Sequence, residues 1–291
     1  MKVSGEVTKA ATCTEDGIGK KECSICDYTE PYGVLEKLGH SFIDNWGNST
    51  ATCTVAGNET RTCTLDCDET GHTETRDVSA LGHDWNWNTY TSGSGLRKCQ
   101  RSEACTVTAG IGDTGPGGGV IFYVASSGFT VQGFSEGVGG YTEWHFTGYT
   151  ANYLEAAPSN LFYQLAWASS NDLIPHISQD QDDETDRAIG RGRRNSAAIV
   201  ARGIGRAYLT SPALQSLFLG TGGKDDWFLP SRDELAELVK IRGQYGIPNS
   251  GLFWSSSQSD AWNAWIIWFS NGNFSRWPKS ELLFVRPIRA F

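Results

Sequence analysis

The chain has 291 residues, of which 39% are hydrophobic and 20% charged, and it carries a net charge of −9. That composition excludes a disordered polyelectrolyte, and the acidic balance argues against nucleic acid, whose phosphates need clustered Lys and Arg. No apolar run approaches the ~20 residues of a membrane-spanning helix, and "MKVSGEV" at the start has no apolar signal-peptide core.

Eight cysteines stand at 13, 23, 26, 53, 63, 67, 99 and 105, and none follows. The first third is therefore expected to rely on cross-links or metal, and the rest on an apolar core. Two segments repeat. "ATCTEDGIGKKECSICDYTEPYGVLEKLGH" covers 11–40, and "ATCTVAGNETRTCTLDCDETGHTETRDVSALGH" covers 51–83. A period of about 40 residues means small modules, each too short to bury a core without a staple. We divide this region into a first module (1–45), a second (46–87) and a decayed third copy or linker (88–109) that keeps only Cys99 and Cys105.

Each full unit offers three cysteines and one histidine: Cys13, Cys23, Cys26 and His40, then Cys53, Cys63, Cys67 and His83. Three Cys and one His make a closed tetrahedral zinc set, and Cys-x2-Cys is a common ligand spacing. Disulfides are the alternative, with the first cysteine of a unit pairing across units, and both remain open at this stage. The third copy lacks both the first Cys and the Leu-Gly-His, a joint loss that co-ligands would share. The modules resemble Cys-containing "ATCT…C..C…LGH" repeats of bacterial secreted surface proteins. That resemblance implies a stalk at an extracellular or cell-surface location.

Residues 110–291 are read as one domain. Gly117–Gly119 leads into the strand-like Val120–Val124, so it is a tight turn and not a phosphate loop, which needs Gly-Lys-Ser/Thr before a helix. Helices are expected at 158–170, 195–205 and 229–243. The last begins with a capping box, Ser231 and Glu234, and stops at Gly243. Strand-like pieces are "NYLEAAP", "DWFLP", "LFWSSS", "AWIIWF" and "LFVRPIRAF". The order makes an α+β fold, with an antiparallel sheet and two or three helices behind small Cys-rich β modules.

"DWFLPSRDEL", "LFWSSSQ", "AWIIWFSNG" and "FVRPIRAF", with "GDTGPGGGVIFYV" and "YLEAAP", resemble the bacterial DUF1566 domains over roughly 110–291. The resemblance implies a C-type-lectin-like or formylglycine-generating-enzyme-like fold that binds through its C-terminal strands and loops. It also implies Trp254, Trp265, Phe269 and Val285 as buried scaffold, and Arg286 and Arg289 as structural hydrogen bonders.

Catalysis is not expected. The cysteine pair of the formylglycine-generating enzymes has no counterpart after Cys105, and only His145 and His176 lie in this domain. No cofactor is expected there either. "DQDDETD" (180–186) is read as a solvated acidic loop, and Arg191, Arg193 and Arg194 as an exposed basic one with a minor capacity for sulfated glycans.

Between the fixed pieces lie large, chemically scattered residues: Ser259, Asp260, Ala261, Trp262, Ile266, Ile267, Trp268, Phe274, Ser275, Arg276, Trp277, Ser280, Glu281, Leu282 and Phe284. Trp and Arg are favoured hot-spot anchors. The pattern resembles the variable region of diversity-generating retroelement target proteins and implies a diversified ligand surface, with a protein as partner. Two other readings stay open: apolar packing against a module or subunit, and a fixed adhesin face that binds glycan.

Overall fold

The computed structural model describes residues 7–23, 25–47, 49–65, 72–135, 145–161, 163–168, 173–174, 177, 185–201 and 221–291. The chain divides into two compact units, Met1–Asp84 and Trp85–Phe291. Among the described residues the fold is built mostly from small antiparallel sheets with few helices, α+β or mainly β in class.

In the first unit, β1 (Val7–Lys9), β2 (Gly17–Glu22) and β3 (Thr29–Leu35) form an antiparallel sheet, and β4 (Gly57–Thr62) pairs with β5 (Thr73–Val78). The two repeats fold alike because the same residues recur at the same turns. Thr12 N–H donates to Glu15 O and Thr52 N–H to Val55 O, closing the "ATCT" turn in each. Gly17 and Gly57 follow, and a Cβ at either would come within 2.5 Å and 2.2 Å of the Ala11 and Ala51 nitrogens. Only glycine fits against that turn. On the second hairpin, Trp46 lies between the guanidinium groups of Arg61 and Arg76, at 4.6 and 4.4 Å.

The second unit opens at Trp85, within the residues read as the second module, and takes in the segment read as a decayed third copy. Trp87 Nε1 donates to Thr114 O at 2.9 Å, and Arg97 N–H donates to the Tyr153 hydroxyl at 2.7 Å. It still shares one trait with the full repeats. The second cysteine's N–H donates across a turn in all three: Cys23 to Tyr28, Cys63 to His72 and Cys99 to Val107.

Beyond it run β6 (Val120–Val131), β7 (Tyr149–Ala156), β8 (Leu165–Ala166), helices α1 (Gly192–Ala201) and α2 (Arg232–Val239), β9 (Leu252–Gln258), β10 (Asn263–Trp268), β11 (Phe274–Pro278), β12 (Leu282–Leu283) and β13 (Ile288–Ala290). Three sheets result, ordered β13-β7-β6, β11-β10-β9 and β12-β8. Two apolar clusters fill the interior. One gathers Trp167, Ile199, Trp254, Ile266 and Val285, the other Phe122, Phe228, Leu235, Phe253, Ile267 and Ile288. β10 lies between them, because consecutive strand residues face opposite sides: Ile266 enters one cluster and Ile267 the other.

The capping box on α2 is present, with Ser231 accepting from Glu234 N–H and Glu234 from Ser231 N–H. The Gly117–Gly119 turn wraps a carboxylate of the protein itself. Glu155 accepts N–H bonds from Gly117 at 3.0 Å and Gly119 at 2.6 Å. Arg289 donates to Glu155 at 3.2 Å and to both Asp226 oxygens at 2.7 and 2.9 Å, which completes a buried network.

The helix expected at 158–170 is corrected: none of its described residues is helical, and Leu165–Ala166 form β8. Apolar residues at 161, 165 and 168 suit a helix by spacing. Here they line one cluster in extended form, while Leu165 O accepts from Trp254 Nε1 at 2.8 Å and Trp167 Nε1 donates to Ser255 O at 2.7 Å.

Candidate functional site

The expected ligand residues lie on β10, β11, β12 and their connections; among the described residues β11 is the edge strand of its sheet, paired with β10. Exposed there are Trp262 (63%), Leu282 (60%), Trp268 (36%) and Phe284 (36%). Arg276, Ser280 and Glu281 are also exposed, while Asp260, Ala261, Phe274, Ser275 and Trp277 are half-buried.

Three expected members are corrected. Ser259, Ile266 and Ile267 are 3%, 0% and 0% exposed, so they are interior residues with no ligand-facing surface. Ser259 N–H donates to Asn263 O and closes the β9–β10 turn, and the two isoleucines each fill a core cluster.

The remainder divides between the two faces of the sheet edge. Trp268 and Trp277 meet edge to face at 6.1 Å. On the opposite face Trp265 is half-buried, not core as expected. The guanidinium groups of Arg187, Arg232 and Arg276 surround it at 6.0, 5.4 and 5.8 Å, and Arg232 also covers Phe274 at 4.9 Å. Strand alternation held the missed signal: Trp265 sits between inward Ala264 and Ile266, so it must point the other way.

Trp262 is presented by a built turn. Asp260 Oδ1 accepts from the N–H groups of Trp262 and Asn263, both at 2.8 Å, and from Asn263 Nδ2 at 3.1 Å. Partial burial pushes the Asp260 carboxyl up, but these hydrogen bonds outweigh it and hold the carboxyl below its usual range. Lys279 N–H donates to Trp262 O at 2.9 Å from the other side. Asp260 therefore orders the loop, and Trp262 meets solvent.

The neighbouring candidates are structural. The serines of "WSSSQ" bond inward, Ser255 Oγ to Trp265 O at 2.7 Å and Ser257 Oγ to Asp186 O at 3.1 Å. Arg194 pairs with Asp186 at 3.0 Å, Arg191 lies 3.9 Å from the same carboxylate, and Arg193 covers Phe146 at 4.4 Å. His145 is exposed and packs edge to face with Phe134. His176 and Asp180 to Glu184 lie outside the described residues. Arg286 donates to Asn160 Oδ1 at 3.1 Å, and burial lowers its pKa to about 10.

In the first unit, the candidate ligands sort differently from the sequence reading, and Cys13 is disulfide-bonded. Donor atoms of Cys13, His40 and Cys63 lie within 4.8 Å of one another, so the set draws on two successive repeats. Cys23 and Cys26, expected beside Cys13 and His40, are not in that group, because β2 carries the chain away from the "ATCT" turn before reaching them. Hydrogen bonding from Cys26 chiefly lowers the Cys23 thiol pKa. Cys53 and His83 also lie within 4.8 Å of each other, and Cys67 lies outside the described residues. These clusters have the donor types to hold a metal.

No family model matches the chain, and no curated protein matches it. Among solved structures, the chain is similar to a fimbrial protein from Bacteroides ovatus, at 12% identity and a TM-score of 0.38. That match covers 82% of this chain, which spans 57% of the other, and likeness at that level carries no functional argument. No helix among the described residues is long and apolar enough to cross a membrane.

Proposed function

We propose that the second unit is a binding module of C-type-lectin-like fold, displayed at a cell surface, that captures a protein ligand without catalysis. One observation carries this reading: Trp262, Trp268, Leu282 and Phe284 stand exposed on the C-terminal strands and their connections, which are anchored in two cores. Exposed apolar area of that kind marks partner sites on soluble proteins. Burial of Trp262 and Trp268 supplies the anchors, and Arg276, Ser280 and Glu281 form the polar rim. The reading against sulfated glycan rests on the engagement of Arg191, Arg193 and Arg194 with Asp186 and Phe146.

The partition between anchored strands and scattered exposed residues also supports a diversified surface. Sequencing the source DNA beyond the codon for Phe291 tests it. A near-copy of the region encoding 255–291 is expected beside a reverse transcriptase gene. Its adenine-linked differences should fall on 260–262, 268, 274–277 and 280–284, and spare Ile266 and Ile267. Absence of a copy would leave a fixed adhesin face and sink the diversified reading.

A further inference from the structure

We propose that β11 accepts an extended acidic segment of a protein ligand as an added strand, with the ligand's carboxylates held by the guanidinium cluster of Arg187, Arg232 and Arg276. The proposal rests on the reading of the second unit as a protein binder and specifies which part of such a ligand it recognises.

The open edge is set by register. Trp268 N–H donates to Asn273 O and Lys279 N–H to Trp262 O, both at 2.9 Å, at the two ends of the β10–β11 ladder. In an antiparallel pair, positions bonded to the partner alternate with positions whose backbone groups turn away from it. The alternation gives Ser275 and Trp277 to β10 and turns the N–H and C=O groups of Phe274 and Arg276 to the free side. Among the described residues no strand pairs on that side. Pro278, which has no N–H, ends the edge. Unpaired backbone donors and acceptors in a row are a template for another strand.

The charge beside this edge selects the strand. Arg276 stands opposite Trp265 in the register, and Phe274 lies on the same face two residues away. Arg187, Arg232 and Arg276 gather over that face, 6.0, 5.4 and 5.8 Å from the Trp265 ring. Among the described residues, these three have one paired carboxylate, Asp233, at 3.0 Å from Arg232 Nε. Asp186, next to Arg187 in sequence, is drawn to Arg194 and Arg191 instead. Arg187 is 7% exposed, and its buried Nε has no hydrogen-bond acceptor. Three cations with one counter-charge, one of them carrying an unmet donor, make this a positive face without its anion.

A strand added beside β11 lies about 4.7–4.9 Å away, so its side chains on this face come first to Arg276. Carboxylates match the planar guanidinium fork. The other face of β11 carries Trp277, packed edge to face with Trp268, so the ligand residues between the acidic ones are apolar. A second copy of this chain is a poor occupant, because β11 against β11 brings two sets of the same cations together.

The test pans a random-peptide display library on the immobilised full chain. Enriched peptides should alternate acidic with apolar residues. One of them, synthesised, should bind the parent at least about tenfold more tightly than Arg276→Ala, and replacing its acidic residues by amides should cost as much. Arg276 is exposed, so the variant should melt with the parent. Methylating alternate backbone nitrogens of the peptide should abolish binding in one phase and spare it in the other, since an added strand turns every second N–H toward β11. Neutral peptides, acidic ones indifferent to Arg276→Ala, or equal effects of both methylation phases would overturn the proposal and leave a protein-binding unit standing. A library that yields no binder would refute that reading as well. A sulfated oligosaccharide that binds the parent but not Arg276→Ala, with no peptide recovered, would assign the cluster to glycan. A parent dimer that peptide disperses would give the edge to a second copy, and either result would also overturn the proposal.

Discussion

Replacing Glu155 by Gln is nearly isosteric, yet it should be costly. The carboxylate is fully buried and accepts from Gly117 N–H, Gly119 N–H and the Arg289 guanidinium. Burial pushes this carboxyl up, while Arg289 and the two glycine N–H groups pull against it. For Arg289, burial acts to lower its pKa, and Asp226 and Glu155 outweigh that to raise it. Burial prevails, so the net shift is upward, yet the groups that contact its oxygens are all donors, the partner pattern of a carboxylate. An amide keeps one acceptor oxygen but turns an NH2 toward either a glycine N–H or Arg289. The substitution thus removes a charge-assisted bond and creates a donor facing a donor. Breaking a buried pair costs about 3–5 kcal/mol, and Arg289 keeps Asp226, so about 3 kcal/mol is expected. Urea unfolding at pH 7, followed by tryptophan fluorescence, reads the change at constant m-value. A loss below about 1 kcal/mol would refute the reasoning, because it would mean that Glu155 is already neutral and its charge contributes nothing.

Two further outcomes follow from burial. Trp254→Ala should cost about 3–5 kcal/mol, as it empties the core around a fully buried ring, whereas Trp262→Ala should change stability by less than about 0.5 kcal/mol. Equal losses in thermal melts would place Trp262 in packing and remove it from the ligand face. Burial raises Glu234 to about 7 from an ordinary 4.5. The folded chain therefore binds the extra proton, so this contribution should be fully present below about pH 4.5 and be lost, by roughly 3 kcal/mol in all, as pH rises through about 7, then level off. Melts between pH 5 and pH 8 check this. A flat profile, or the same slope in Glu234→Gln, would count against Glu234 as the source.

What could be read from the sequence followed the range of the interaction. The capping box of α2 is written in adjacent residues, and β7, β9 and β10 announced themselves as short apolar runs. Arg286 and Arg289 were also legible as structural groups. Residues 158–170 misled because a spacing of four suits a helix, while the pairing of Leu165 with Leu283 is set far along the chain. Ile266 and Ile267 looked like surface because their neighbours are scattered, yet alternation sends consecutive strand residues to opposite faces, and each face of β10 meets a core there. The Cys13–His40–Cys63 group was hidden for the same reason. Its members belong to different repeats, so matching cysteines within a repeat groups them wrongly.

The pairing of β7 has a consequence for how the protein is made. Ala156 is flanked by Val120 on one side and Ile288 on the other. Phe291 O accepts the N–H groups of Asn152 and Tyr153 and its ring stacks on Tyr153. On a translating ribosome, β6 and β7 emerge early but keep an open edge until residues 288–291 have cleared the exit tunnel. The first unit has no such dependence in its hairpins, which close between near neighbours in the chain. Synthesis should therefore deliver a folded amino-terminal hairpin array well before the second unit, whose closure waits on long-range pairing and is correspondingly slow.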